Sequence, residues 1–181
     1  MSYEYLNEKN KKILELENRR KIYELVRKFS GSHFRELERK SQISIGILKY
    51  HLDFLNKHGL IKQERDGNNT RYFLTDIKFE NMKLLSLLRQ KSIRRIILFI
   101  LTNKKPYHQD IVKFVGLSPS TVSWHLKKLI KSNVITEIKE GRKIMYSLLI
   151  DEDEVIKLLV YYKESFFDSL VNKAAEMWDI N

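Results

Sequence analysis

Small hydroxyl side chains and lysines are concentrated in the segment 118–131. The hydroxyl and aromatic members are Ser118, Ser120, Thr121, Ser123 and Trp124, and the cations are Lys127, Lys128 and Lys131. Short hydroxyl side chains can approach base edges and phosphate oxygens closely, and lysines neutralise phosphate charge. The segment therefore has the chemistry needed to contact a nucleic acid.

A helix would present this set on one side. Ser118 can accept hydrogen bonds from the free amides at a helix start, and Pro119 suits the first helical position because its φ is already helical. The apolar stripe expected to face the core is Val122, Leu126 and Leu129. Asn133 is a residue type that closes helices in the left-handed conformation. The polar set thus lies on the opposite face of a helix of about three turns.

The same arrangement occurs twice, because the chain overlies itself without a gap when it is shifted by 74 positions. Matching positions include Tyr50-His51-Leu52 with Trp124-His125-Leu126, Gly59 with Asn133, and Gly67 with Gly141. Apolar positions and turn residues keep the same register throughout. We therefore interpret the chain as two copies of one module.

Each module reads as three helices followed by a β-hairpin. In the first copy the expected elements are helices at about 20–29, 33–40 and 44–58 and strands at 60–65 and 70–74. In the second copy they are helices at about 94–101, 107–114 and 118–132 and strands at 134–139 and 144–148. After each third helix the spacing of apolar residues changes from every three or four residues to every second residue, as in a strand. Segments that contain glycine join the two strands. This is the order of a winged helix-turn-helix domain.

The third helix of the first copy offers a less polar surface than its counterpart. Its candidate contact residues are Ser44, Gly46, Ile47, Lys49, Tyr50 and Lys57, with Ile45, Asp53 and Asn56 beside them. Ser44 is in the capping position, and Asp53 stands where the second copy has Lys127. Gly46 indicates either close approach to a ligand or relief of crowding. We expect the second copy to bind DNA more strongly.

The hairpins add a second group of candidate contacts. They are Arg65, Asn68, Asn69 and Arg71 in the first copy and Lys139, Arg142 and Lys143 in the second. These types suit phosphates or a narrow minor groove. Exposed hairpins can also be merely solvated, and the expectation of phosphate contact is strongest for Arg142 and Lys143.

Net charge supports a polyanionic partner. The 181 residues carry a formal charge of +11 with a pI near 9.7. Residues from 151 onward hold three basic and eight acidic side chains, so residues 1–150 hold 31 basic and 15 acidic side chains, a net +16. A basic surface alone does not distinguish a nucleic-acid site from a solvated face. The positive charge, however, belongs to the two repeats that carry the candidate contacts.

The segment 118–129, Ser-Pro-Ser-Thr-Val-Ser-Trp-His-Leu-Lys-Lys-Leu, resembles the recognition helix of ArsR-like and MarR-like winged-helix transcription regulators. Residues 47–52 are a looser version of it, and the likeness covers roughly 18–75 and 92–150. The tandem arrangement is similar to archaeal regulators, among them the archaellum regulators of euryarchaea. The resemblance implies a mainly α fold with small β wings and a function in binding double-stranded DNA.

The predicted organisation has five parts. They are an N-terminal helix at 1–17, winged-helix domains at 18–76 and 92–150, a linker helix at 77–91 and a C-terminal helix at 151–181. In the C-terminal part an apolar stripe recurs every three or four residues, at Val155, Leu159, Tyr162, Phe166 and Leu170. Terminal helices of the resembled families pair subunits, which implies a homodimer; the alternative is that the stripe covers its own domain.

Other function classes have little support in the sequence. There is no cysteine, no phosphate-binding glycine loop and no defensible metal or nucleophile motif, so we expect no catalytic residues, metal or cofactor. No apolar run is long enough for a membrane span and no secretory signal is visible, so we expect a cytoplasmic protein. A protein-binding scaffold is the main alternative, the basal transcription machinery is a possible partner, and RNA is a weaker third ligand.

Overall fold

The computed structural model describes residues 6–166 and is mainly helical with two small antiparallel sheets. The chain divides into two compact units, with the boundary between Met82 and Lys83. The first unit contains α1 (Glu8–Ile13), α2 (Glu17–Lys28), β1 (Ser32–His33), α3 (Phe34–Ser41), α4 (Ile45–Lys57), β2 (Ile61–Asp66) and β3 (Asn69–Leu74). Helix α5 (Phe79–Leu88) contains the boundary.

The second unit repeats the helix-helix-helix-hairpin order. It contains α6 (Lys91–Asn103), α7 (His108–Val115), α8 (Pro119–Lys131), β4 (Ile135–Glu140), β5 (Lys143–Leu148), α9 (Glu152–Tyr161) and α10 (Lys163–Phe166). The predicted fold class, tandem winged helix-turn-helix domains, is confirmed.

Each unit encloses a core formed by the apolar stripes of its helices. In the first unit the fully buried side chains include Ile22, Leu37, Leu48, Leu52, Leu55 and Phe73, and in the second they include Ile96, Ile97, Ile111, Val122, Leu126 and Leu129. Burial of such aliphatic side chains contributes about 1.5–3 kcal/mol each. The buried stripes fix the rotation of α4 and α8 and so determine which side chains remain outside.

Both third helices end in the same hydrogen-bonded motif. Gly59 (φ +71°) follows α4 and Asn133 (φ +56°) follows α8, as the sequence predicts. The next amides, on Leu60 and Val134, donate to the Leu55 and Leu129 carbonyls at 3.0 and 3.1 Å. These bonds satisfy carbonyls that the helix leaves free and turn the chain directly into the wing.

The wings are two-residue hairpins. Ile61 pairs with Leu74 and Asp66 with Asn69 in the first, and Ile135 pairs with Leu148 and Glu140 with Lys143 in the second. Gly67 (φ +61°) and Gly141 (φ +59°) occupy the first central position, where a type II′ turn needs a positive φ. The residue after each glycine, Asn68 or Arg142, is therefore at the wing tip.

Some features differ from the expectations. Strand β1 pairs with β3 in the first unit through Ser32–Tyr72 and His33–Arg71, and this strand was not predicted. Only a single bridge, Tyr107–Met145, occupies the matching position in the second unit. The N-terminal helix is the six-residue α1, since the chain leaves helical structure after Ile13 and re-enters it at Glu17.

The structure corrects the prediction that the apolar stripe of the C-terminal part pairs subunits. Val155, Leu159, Tyr162 and Phe166 are only 0, 1, 5 and 8% exposed within a single chain. The Arg94 guanidinium lies 4.8 Å from the Phe166 ring centroid and donates to the Phe166 carbonyl at 3.4 Å. These four side chains therefore cover their own unit and are not available as a dimer surface, while Leu170 lies outside the described residues.

Candidate nucleic-acid interface

The start of α8 forms a compact set of hydroxyl groups. Ser118 Oγ accepts a hydrogen bond from the Thr121 amide at 3.2 Å, which confirms its capping role. The same Oγ lies 3.0 Å from Ser120 Oγ and 2.8 Å from Thr121 Oγ1. Ser118 and Ser120 are exposed and Thr121 is half-buried. The first turn of α8 thus presents donors and acceptors whose hydrogens can rotate to suit a ligand.

Trp124 projects from the centre of the outward face of α8. Its side chain is 59% exposed although indole is largely apolar, and its ring meets His125 edge-on with centroids 5.0 Å apart. Lys128 Nζ lies 5.7 Å from the indole centroid and donates to Gln90 Oε1 at 3.2 Å. Lys127 and Lys131 are exposed on the same helix. An exposed indole flanked by cations is suited to a ligand with apolar surface and negative charge.

Ser123 is connected to the helix before it. Its Oγ lies 2.9 Å from His108 Nε2, so the imidazole of α7 holds the hydroxyl of α8. Beside this pair is a cleft of about 480 Å³, lined by Tyr107, His108, Gln109, Asp110, Arg142, Lys143 and Ile144. The α7 residues of this cleft were not among the predicted contacts. Their run of polar types at a helix start was the available signal.

The second wing places its cations at the tip, next to the cleft. Arg142 and Lys143 are exposed, as is Lys139 on the preceding strand. Lys143 Nζ lies 5.0 Å from the Tyr107 ring centroid, and Tyr107 Oη donates to Glu140 Oε2 at 3.1 Å. This hydrogen bond raises the pKa of Tyr107 and keeps its hydroxyl protonated. The wing cations are therefore oriented beside the start of α7.

The outward face of α4 is largely apolar. Ile45, Ile47 and Tyr50 are 57, 45 and 60% exposed, and Lys49 and Lys57 are also exposed. Ser44 precedes the helix, but its side chain accepts no capping hydrogen bond.

Gly46 does not relieve crowding in α4. Apart from its chain neighbours and the backbone of its own helix, a Cβ at this position would meet no atom within 4 Å. Glycine costs about 1 kcal/mol relative to alanine inside a helix, so the packing of the unit gives no reason for it. Close approach to a ligand is the other interpretation of this glycine and stays a prediction.

The first wing presents only part of its predicted set. Arg65, Asn68 and Asn69 are exposed, whereas Arg71 is buried, with 5% of its surface accessible. Arg71 donates to Asp66 Oδ2 at 2.6 Å and to the Gly31 carbonyl at 2.8 Å. The assignment of Arg71 to DNA contact is therefore wrong. Its guanidinium joins the wing to the turn before β1.

We expect Arg71→Met to lower the free energy of unfolding by about 1–3 kcal/mol, because it leaves the buried Gly31 carbonyl without its side-chain donor. Urea denaturation measures this change. The matched control is Arg65→Ala on the same hairpin, which should change stability by less than about 0.5 kcal/mol because Arg65 is exposed. Equal stability of the two variants would refute a structural role for Arg71.

His51 and His125 lie behind the exposed aromatic of each third helix, and the Nδ1 atom of each is buried without a hydrogen-bond partner. Burial lowers the pKa of both imidazoles, and the positive charges of Arg19 near His51 and Lys128 near His125 add to the effect. Both imidazoles are therefore mainly neutral near pH 7.

We expect stability to fall as the pH is lowered below about 6.5, the pKa of an unfolded histidine. The unfolded chain then binds protons that the folded chain, with its lowered pKa values, does not, so unfolding is favoured. The free energy of unfolding of the His51→Asn/His125→Asn variant should depend less on pH between 7.5 and 5. Parallel curves for the variant and the unchanged chain would contradict this expectation.

Two kinds of site are absent from residues 6–166. No group of three His, Asp or Glu side chains lies together as a metal site would require. Within the same residues, no helix is long and apolar enough to span a membrane.

Comparison with known families matches each unit separately. Residues 16–84 match a family described as an N-terminal HTH domain, and residues 89–136 match a family described as winged helix-turn-helix DNA-binding. The two matches leave only residues 85–88, the last residues of α5, between them. They support the division into repeats that the 74-residue shift indicates.

Two known proteins match the chain over about three quarters of its length. An uncharacterised HTH-type transcriptional regulator of Methanocaldococcus jannaschii is 34% identical over 138 residues, which are 75% of this chain and 34% of that protein. The chain therefore spans about a third of this curated relative. A second match is a crystal structure of human N-acetylserotonin methyltransferase in complex with SAM. The matched region is 74% of this chain and 45% of the methyltransferase chain, with 11% sequence identity and a TM-score of 0.28.

Proposed function

The chain belongs to the tandem winged helix-turn-helix proteins, as its resemblance to archaeal regulators predicts, and from this premise we propose that it regulates transcription by binding specific sites in double-stranded DNA. In this proposal α8 and α4 enter the major groove and the wing cations contact the phosphate backbone. The major groove of B-DNA is wide enough for one α-helix with its side chains.

The outward face of α8 is the observation that carries the proposal. Its buried stripe leaves the hydroxyl cluster, Trp124 and the lysines on one side, and the flanking wing tip adds Arg142 and Lys143. In helix-turn-helix proteins the start of the second helix of the motif contacts base edges while neighbouring elements contact the backbone. The order of polar, aromatic and basic side chains along α8 follows the same division.

A protein-binding scaffold, acting for example on the transcription machinery, is the second candidate. One observation favours it, the exposed apolar side chains Ile45, Ile47 and Tyr50 on α4. A scaffold needs neither the cations of α8 and its wing nor the +16 charge of residues 1–150. The distribution of charge therefore favours DNA.

Fluorescence anisotropy with the full chain tests the proposal against the scaffold. We expect a duplex enriched from a random pool to bind with a dissociation constant of about 10⁻⁸ M or lower near physiological salt, and unrelated duplexes to bind at least a thousandfold more weakly. A stoichiometric protein complex together with no binding to any duplex would favour the scaffold.

A further inference from the structure

The first turns of α4 and α8 differ in chemistry at matched positions. Ile45, Gly46 and Ile47 stand where the second copy has Pro119, Ser120 and Thr121. We propose that α4 reads thymine methyl groups, so that the first unit selects T-containing steps while the second reads hydrogen-bonding groups. This inference rests on the proposed function and specifies what one half of the DNA-binding surface recognises.

Thymine is the base that an isoleucine side chain can distinguish. It presents a methyl group in the major groove, whereas the other three bases present only donors and acceptors there. Ile45 and Ile47 have no hydrogen-bonding group beyond the backbone, yet they lie at the helix start, where recognition helices contact base edges. Apolar contact with the methyl group is the base readout that these side chains allow.

The exposure of these side chains shows that the first unit does not use them in its own packing. Ile45 is 57% and Ile47 45% exposed, while Leu48, Leu52 and Leu55 of the same helix are fully buried. Gly46 lies between the two isoleucines with open space where a Cβ would be. The backbone of this turn can thus come close to base edges, which the short reach of isoleucine requires.

The surroundings of α4 suit a duplex better than an apolar protein surface. Lys49 and Lys57 on the helix and Arg65 on the wing are exposed, so the helix that carries the isoleucines and its wing also carry cations. The acidic Asp53 accepts a hydrogen bond from Gln63 Nε2 at 3.3 Å, which ties its carboxylate to β2. The matching helix face in the second copy carries the proposed DNA-reading residues, and α4 presents the corresponding face of the first unit.

Replacing thymine by uracil removes only the methyl group and so isolates the proposed contact. The full chain first selects a duplex from a random pool, and each thymine of the selected site is then changed singly to uracil. Affinity is measured for the unchanged chain, for Ile45→Ala/Ile47→Ala, and for Leu149→Ala, a matched control because Leu149 is an equally exposed aliphatic residue outside the helix.

At one or two positions, we expect a single uracil to weaken binding roughly fourfold, which corresponds to the transfer free energy of one buried methyl group. The loss should be the same for the unchanged chain and for Leu149→Ala. The Ile45→Ala/Ile47→Ala variant should bind both forms of the duplex equally. Its circular dichroism and unfolding should stay cooperative, because both replaced side chains are exposed and alanine favours the helix.

Other results would overturn the inference. If the chain binds its selected duplex tightly and no uracil has an effect, methyl readout fails while DNA binding stands. Persistence of uracil sensitivity in the double variant would assign the contact to other residues. A stoichiometric protein partner that is lost in the double variant, with unchanged DNA affinity, would make α4 a protein-binding surface. Failure to bind any duplex would refute the proposed function itself.

Discussion

Raising the salt concentration from 50 to 200 mM is expected to weaken DNA binding by about three decades. Neutralising six phosphates releases enough condensed counterions to give a slope near −5 in a plot of log K against log salt. The exposed cations available for this are Lys49, Lys57, Arg65, Lys127, Lys131, Lys139, Arg142 and Lys143. Fluorescence anisotropy on one selected duplex across this salt range measures the slope.

Charge variants show which cations contribute to that slope. Arg142→Ala should reduce its magnitude by about one, because the wing tip is expected to contact one phosphate. Lys12→Ala is the matched control, since Lys12 is an exposed cation on α1 outside either helix-turn-helix. A flat salt response of the unchanged chain would contradict phosphate-dominated binding, and equal slopes for Arg142→Ala and the unchanged chain would remove this side chain from the interface.

The second large effect is expected at Trp124. We predict that Trp124→Ala reduces the preference for the selected site over unrelated duplexes by about 5- to 100-fold, comparable to the cost of one mismatched base pair. The 59% exposure of the indole means that its removal should leave the fold intact. Arg142→Ala, by contrast, should weaken binding to selected and unrelated duplexes by the same factor, because phosphate contacts carry no sequence information.

Ser123→Ala extends this test along α8. It should also alter the preferred sequence, since the change removes a hydroxyl from the reading face and releases the His108 imidazole that lies 2.9 Å from it. Selection from a random pool with each variant gives the preferred sequences. Identical preferences for Trp124→Ala, Ser123→Ala and the unchanged chain would show that α8 does not read bases.

Much of the fold follows from residues that specify local geometry. The Ser118-Pro119 start and the Gly59 and Asn133 ends of the third helices are predictable because few residue types satisfy those backbone requirements. The alternating strands around Gly67 and Gly141 are predictable for the same reason. The expectation that Ser44 caps α4 as Ser118 caps α8 is wrong, because Ser44 occupies the capping position but its side chain makes no capping hydrogen bond.

Arg71 shows that residue type at a single position can give a wrong prediction of DNA contact. An arginine on a hairpin suggests phosphate contact, yet the 74-residue shift places it on Met145, an apolar residue. The repeat therefore contained evidence that this position faces inward. The hydrogen bonds to Asp66 and Gly31 depend on β1 pairing with β3, and a two-residue strand has too little pattern to be predicted.

The burial of the C-terminal apolar stripe and the cleft beside α7 could not be predicted from the sequence, because both depend on tertiary contacts. A stripe such as Val155, Leu159 and Tyr162 has the same sequence pattern whether it faces its own domain or a partner, and only packing distinguishes the two. The cleft combines residues 107–110 with 142–144, which are distant in sequence. Neither segment alone indicates that they share a site.

Dimethyl sulfate protection of guanine N7 shows whether α4 and α8 occupy the major groove, because N7 lies in that groove. We expect the full chain to protect guanines in two separate stretches of its selected duplex. Trp124→Ala should weaken the protection of one stretch while the other stays protected. Uniform N7 reactivity on a duplex that the chain demonstrably binds would contradict the account, since neither α8 nor α4 would then occupy the major groove.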